Sequence, residues 1–170
     1  MALIHDIIST EQSGIVTPNS MLSKTEWPAQ CSVVHSPQND VLSPHMPTGL
    51  TINVTLLPER LRSAGYTTHM VGKWHLGNCA PEYVPQGRGF GTFLGFWAGQ
   101  EDYFRHTVQD ALDFFEDDRP LPELSGVYSG SVFTERAEHI IREHDASQPL
   151  FLYLPFPNPH APLQVCTQCR

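Results

Sequence analysis

Apolar and polar positions alternate along the chain in two rhythms, and each rhythm occurs twice. In residues 55–64, Leu57, Leu61 and Ala64 fall at i, i+4 and i+7. That spacing predicts a short helix, with Thr55 able to cap it and Pro58 tolerated in its first turn. Gly65 then ends it. Residues 66–71 are rich in β-branched and aromatic side chains, which suit a strand. Gly72 follows, where the backbone can turn or approach another segment closely. The pattern returns in residues 129–145. Val132, Phe133, Ala137, Ile140, Ile141 and His144 repeat at three- and four-residue steps. Ser129 or Ser131 can cap this second helix, and Glu135, Arg136, Glu138, Arg142 and Glu143 form its wet face. Residues 149–155 are a continuous apolar run, as in a strand covered on both faces. Two helix–strand units predict an α/β fold with a mainly parallel sheet.

Between these units the pattern weakens. Residues 78–99 carry five glycines among Phe90, Phe93, Phe96 and Trp97, and read as a long loop. The aromatics suit core packing beneath that loop, or else the lining of a substrate cleft. Residues 100–123 are polar and acidic, and read as a solvated loop. Their carboxylates do not follow the alternate-position spacing of a calcium loop. Residues 1–46 hold no sustained period and read as irregular.

Composition narrows the function. The chain has 170 residues, enough for one domain with a core, and 15 are proline. Eighteen acids against ten bases leave a net charge of −8. This argues against a nucleic-acid partner, which would want a basic face, but not against an anionic small substrate, for which local field decides. No run is long enough to span a membrane. The first residues lack a basic n-region, so no signal peptide is expected in this chain. Cys31, Cys79, Cys166 and Cys169 are too few and scattered to define a disulfide framework. Cys166 and Cys169 make half a zinc site at most, and read as incidental. Asn53-Val54-Thr55 is a glycosylation sequon, which matters only if the chain enters the secretory pathway.

Candidate chemistry lies past the two predicted strands. Lys73 and His75 follow the first, and His160 follows the second. Ligands of open parallel sheets bind at the carboxyl ends of strands. A lysine offers fixed positive charge, and a histidine exchanges a proton near neutral pH. Together they suit an anionic ester, although a lysine and a histidine after a strand are also ordinary loop residues.

The stretch Gly65-Tyr66-Thr67-Thr68-His69-Met70-Val71-Gly72-Lys73-Trp74-His75-Leu76-Gly77 resembles the second signature of the sulfatase family, in its arylsulfatase B-like branch. Arg88-Gly89-Phe90-Gly91-Thr92-Phe93-Leu94-Gly95 resembles a further family segment, with Gly91 in place of the usual Asp. That change bears on a local turn hydrogen bond, not on the fold. His160-Ala161-Pro162-Leu163 resembles the family's His-x-Pro-Leu. The resemblance covers residues 47–165, read as part of the N-terminal catalytic domain, and leaves 1–46 and a tail at 166–170 without it.

The resemblance implies an alkaline-phosphatase-like fold and hydrolysis of sulfate monoesters, on a sulfated small molecule or glycan. It implies calcium as cofactor, and a lysosomal or extracellular glycoprotein with Asn53 as acceptor. Lys73 would contact the sulfate, His75 would assist collapse of the sulfated intermediate, and His160 would sit at the leaving-group oxygen. The family's nucleophile is a formylglycine made from the cysteine of Cys-x-Pro-Ser-Arg. Here Cys31 is followed by Ser-Val-Val, and Val16-Thr17-Pro18-Asn19-Ser20 lacks both cysteine and arginine. The paired aspartates and other metal ligands are also missing. The chain alone is therefore expected to be inactive, as part of a sulfatase. The alternative is a non-catalytic sulfatase-like binding or interaction protein. A phosphatase on the same fold is a weaker third reading.

Overall fold

The computed structural model describes residues 31–34 and 47–166. Strand β1 (Ser32–Val34) pairs in parallel with β2 (Thr48–Leu50). Helix α1 (Leu57–Ser63) leads into β3 (Thr67–Lys73), which lies between β4 and β9 in the main sheet. Next come β4 (Thr92–Phe96), the hairpin β5–β6 (Thr107–Val108, Ala111–Leu112), and the hairpin β7–β8 (Phe115–Glu116, Arg119–Pro120). Helix α2 (Ser129–Glu143) and β9 (Leu150–Tyr153) complete the described chain. The main sheet runs β8-β7-β4-β3-β9. Strands β4, β3 and β9 are parallel, with β9 at the edge, and the β7–β8 hairpin joins β4 antiparallel.

Side-chain alternation explains the layers. Met70 of β3, Phe93 of β4 and Phe151 of β9 face one cluster, with Trp74, Phe90 and Trp97, and with Leu56 beside α1. Val71, Leu94, Phe96 and Leu152 face the other, where Phe133 and Ile140 of α2 pack. The sheet is thus covered on both sides, but β9, read as covered on both faces, is an edge strand whose residues are only partly buried, with Tyr153 exposed.

Several expectations are corrected. The cap of α1 is Leu56 rather than Thr55, and the Glu59 carboxylate accepts the Leu56 N–H. Strand β3 extends through Gly72 and Lys73, so Gly72 lies within the sheet instead of turning out of it. Its φ of +126° suits glycine, and a Cβ there would come within 2.3 Å of the Pro155 carbonyl oxygen. Residues 92–96, read as loop, form a central strand. Gly95 interrupts the β pattern there because it faces Gly72, and a Cβ on it would lie 1.9 Å from the Gly72 oxygen. The aromatics Phe90, Phe93, Phe96 and Trp97 are core.

The acidic stretch 100–123 is not a simple solvated loop. It holds four short strands and buries Glu101, His106 and Asp113. Asp117 supplies local hydrogen bonding, accepting the Phe93 N–H at 2.8 Å and the Gln86 side-chain amide at 3.0 Å. The N-cap of α2 is Tyr128; Ser129 is buried, and Ile141 points outward. Within the stretch read as irregular, residues 32–34 form β1; residues 1–30 and 35–46, with Val16 to Ser20, lie outside the described residues.

Candidate active site

Lys73 ends β3 in register with Phe96 of β4, and its N–H donates to the Pro155 carbonyl at 3.0 Å. The ends of three parallel strands therefore meet at this residue. Burial pulls the Lys73 ammonium below its usual range. Trp74 is buried, and its indole N–H donates to the carbonyls of Gly77 (2.8 Å) and Tyr83 (2.9 Å). That anchors the loop carrying His75. The same loop is tied to β2, since Leu50 N–H donates to Leu76 at 2.9 Å and Gly49 bridges Gly77. A disulfide joins Cys79 to Cys31, a pairing the sequence pattern did not reveal. Neither sulfur is therefore a thiolate.

His75 adopts φ +55°, uncommon for a residue with a side chain. Its N–H donates to the Trp97 carbonyl just past β4, at 3.0 Å. Asp113 fixes that same segment. Its carboxylate accepts the N–H groups of Trp97 (3.0 Å) and Ala98 (2.8 Å). Burial pushes the Asp113 carboxyl up to about 6, against the opposing pull of those two donors.

His160 lies on the loop after β9 and is exposed. Its ring Nδ1 is 2.8 Å from the Ala161 carbonyl. An Nδ1–H donor to that oxygen makes Nε2 the acceptor of the neutral ring. The loop is clasped by the stretch before β5. The Tyr103 hydroxyl donates to the His160 carbonyl (2.9 Å), Gln164 Oε1 accepts the Tyr103 N–H (2.7 Å), and the Gln164 amide donates to Asp102 (3.0 Å). Polar residues without a period carry this clasp, so no sequence signal marked it.

Lys73, His75 and His160 thus all follow the carboxyl ends of neighbouring parallel strands. Two clefts of about 540 and 480 Å³ flank α2, and none of the three residues lines either. Among the described residues, no group of three or more His, Cys, Asp or Glu is gathered as a metal-ligand set. These residues do not fit a calcium site, and no step through calcium is derived for them. Cys166 is disulfide-bonded, which removes it as a zinc thiolate; Cys169 lies outside the described residues. Asn53 is exposed in the turn before α1. Among the described residues, no helix is long and apolar enough to cross a membrane.

This layout defines an α/β protein of the alkaline-phosphatase-like class, with its candidate polar groups along the carboxyl edge of the sheet. The chain belongs to the sulfatase family, whose model, described as Sulfatase, matches residues 10–170. It is similar to mouse arylsulfatase J, with 38% identity over 133 residues, covering 75% of this chain and 22% of that protein. The arylsulfatase of Klebsiella aerogenes is 35% identical over 121 residues, covering 68% of this chain and 26% of that protein. Mouse N-acetylgalactosamine-6-sulfatase is 29% identical over 131 residues, covering 71% and 25%. The chain therefore spans about a quarter of the length of these relatives. Among solved structures, Ps i-CgsB in complex with k-i-k-neocarrahexaose superposes with a TM-score of 0.63 at 24% identity. The match covers 72% of this chain and 30% of that one, and shows the shared fold.

Proposed function

We propose that this chain supplies the Lys73–His75–His160 part of an arylsulfatase-type sulfuric ester hydrolase, acting on a sulfated small molecule or glycan. The observation that carries the proposal is the position of Gly72-Lys73-Trp74-His75 at the carboxyl end of β3, on a sulfatase fold. Hydrolysis of a sulfate monoester needs positive charge at the sulfate oxygens and a proton for the departing alcohol. Lys73, desolvated at the strand end, is suited to bind the sulfate. His160 Nε2, when protonated, is suited to donate to the leaving-group oxygen. His75 lies beside Lys73 on the same strand end and handles a proton during turnover.

No nucleophilic step is assigned to this chain. Cys31 lacks the following Pro-Ser-Arg, and its sulfur is bonded to Cys79. The blocked sulfur favours one second reading, a protein that binds sulfate esters without turning them over. Calcium is assigned to the full-length enzyme by family alone. A lysosomal or extracellular setting is supported by the disulfide, which persists where the surroundings oxidise, and by the exposed Asn53 sequon, a glycan acceptor there.

The test is a titration of the isotope-labelled chain with 4-nitrophenyl sulfate. Amide signals of Lys73, His75 and His160 should move, and Lys73→Ala should weaken binding about tenfold, equivalent to about 1.4 kcal/mol. No nitrophenol should be released. Unmoved signals at all three residues would remove the assignment of this edge. Turnover that disappears in Lys73→Ala would overturn the assignment of inactivity to the chain alone. A stronger response to 4-nitrophenyl phosphate would turn the reading to phosphate esters.

A further inference from the structure

The conformation of His75 depends on a segment that lies far from it in sequence. Trp97, Ala98 and Gly99 continue beyond β4, and the Trp97 carbonyl receives the His75 N–H. Asp113, 6% exposed, holds the N–H groups of Trp97 and Ala98 with its two carboxylate oxygens. The Trp97 ring stacks on Phe115 at 4.0 Å, which pins the same segment from the side. Gly99 then lies against the imidazole. A Cβ at Gly99 would fall 2.6 Å from both Cε1 and Nε2 of His75, and 3.1 Å from Cδ2.

This glycine differs from Gly72 and Gly95. At those positions an added Cβ would strike a backbone oxygen, so the sheet itself would have to move. At Gly99 the three nearest atoms all belong to the His75 ring. Its φ also lies outside the left-handed region, so the backbone does not call for glycine. The space is kept for the ring.

We infer that Gly99 and Asp113 are positioning residues for the His75 imidazole. Asp113 fixes the backbone beyond β4, and Gly99 leaves the volume that the ring occupies. The inference rests on the sulfatase reading for its catalytic meaning, but its geometry can be measured without catalysis. A methyl group at Gly99 meets the half-buried His75 ring, not a strand backbone. The ring should therefore move while the fold remains.

The experiment is NMR on the 170-residue chain labelled in its histidine rings, with the His75 signal assigned by its loss in His75→Gln. The wild-type chain should show a nuclear Overhauser contact between His75 Hε1 and the Gly99 α protons. In Gly99→Ala that contact should be lost and the His75 signal should shift, while those of His69 and His106 stay in place. Asp113→Asn should also shift His75, because an amide accepts through only one of its two terminal atoms. Gly99→Ala should lower the melting temperature less than Gly95→Ala does. Absence of the contact in the wild-type chain overturns the inference, whatever the variants do. So does a His75 signal unmoved in Gly99→Ala, or a common shift of every histidine. These readouts are separate from the titration with 4-nitrophenyl sulfate. If the contact is present and the ester does not bind, the positioning stands and the functional reading fails.

Discussion

Glu101 shows what one buried group can do. It is 1% exposed, and its carboxyl oxygens make no hydrogen bond with the protein. Burial pushes it up to about 9; the nearby Ser129 hydroxyl, outside hydrogen-bond geometry, opposes this, and Asp113 and Asp102 add to it. The folded chain therefore holds this proton more tightly than the unfolded chain does. Stability from the neutral carboxyl is complete below about 4.5 and is lost as pH rises toward about 9. One proton changes stability by up to about 1.4 kcal/mol per pH unit. Asp113 acts in the same direction only up to about 6, and His106, pulled down by burial, acts oppositely near its own range. Between about pH 7 and 9, the melting temperature of the wild-type chain should fall relative to that of Glu101→Gln. Parallel melting curves for the two would refute the assignment. No residue-level pattern announced Glu101, since its neighbours in sequence are polar, and the groups it lies near, Asp113 and Ser129, are distant in the chain. Lys73 and His75 were legible because a long mixed motif carries them. Gly99 and Asp113 were not, because their partners are distant in the chain.

At the scale of elements, β3 could be read from its β-branched and aromatic content, β9 from its apolar run, and α2 from its stripe. Strand β4 could not. Gly91, Gly95 and Gly99 gave it the composition of a loop, whereas Gly95 is required there by close approach to Gly72. The joint between α1 and β2 was equally hidden. Arg88, 1% exposed, ends the 3-10 turn Pro85–Arg88 and reaches back across it. Its guanidinium donates to Glu59 (3.2 Å) in α1, to the Leu50 carbonyl (3.1 Å) in β2, and to the Val54 carbonyl (2.6 Å) between them. Removing it leaves a partly buried carboxylate and two carbonyls without their donor. Arg88→Ala should cost about 3–5 kcal/mol, read as a lower urea midpoint. Arg88→Lys should recover little, since a single ammonium cannot span three acceptors placed for a planar fork. Full recovery by lysine would show that charge, rather than geometry, holds the joint.

Over the whole molecule, the α/β class and the carboxyl-edge placement followed from two helix–strand units, and the antiparallel hairpin at the far side of the sheet did not. Nor did the Cys31–Cys79 bond, because four scattered cysteines give no pairing. The bond spans a sequence separation of 48 residues. Closing a loop of that size stabilises the fold by about 4 kcal/mol in the chain-entropy model. Reduction should lower the denaturation midpoint accordingly, and an unchanged midpoint would mean that the loop is already held by the β1–β2 pairing.

The same bond turns residues 31–79 into a covalent ring that contains β2, α1, β3, Lys73 and His75. A protease that cuts once within the ring, for instance at the exposed residues 52–55, breaks the chain without releasing either half. The severed ends stay tethered until the sulfurs are reduced. In a degradative compartment, the segment bearing Lys73 and His75 would outlast its own first cleavage.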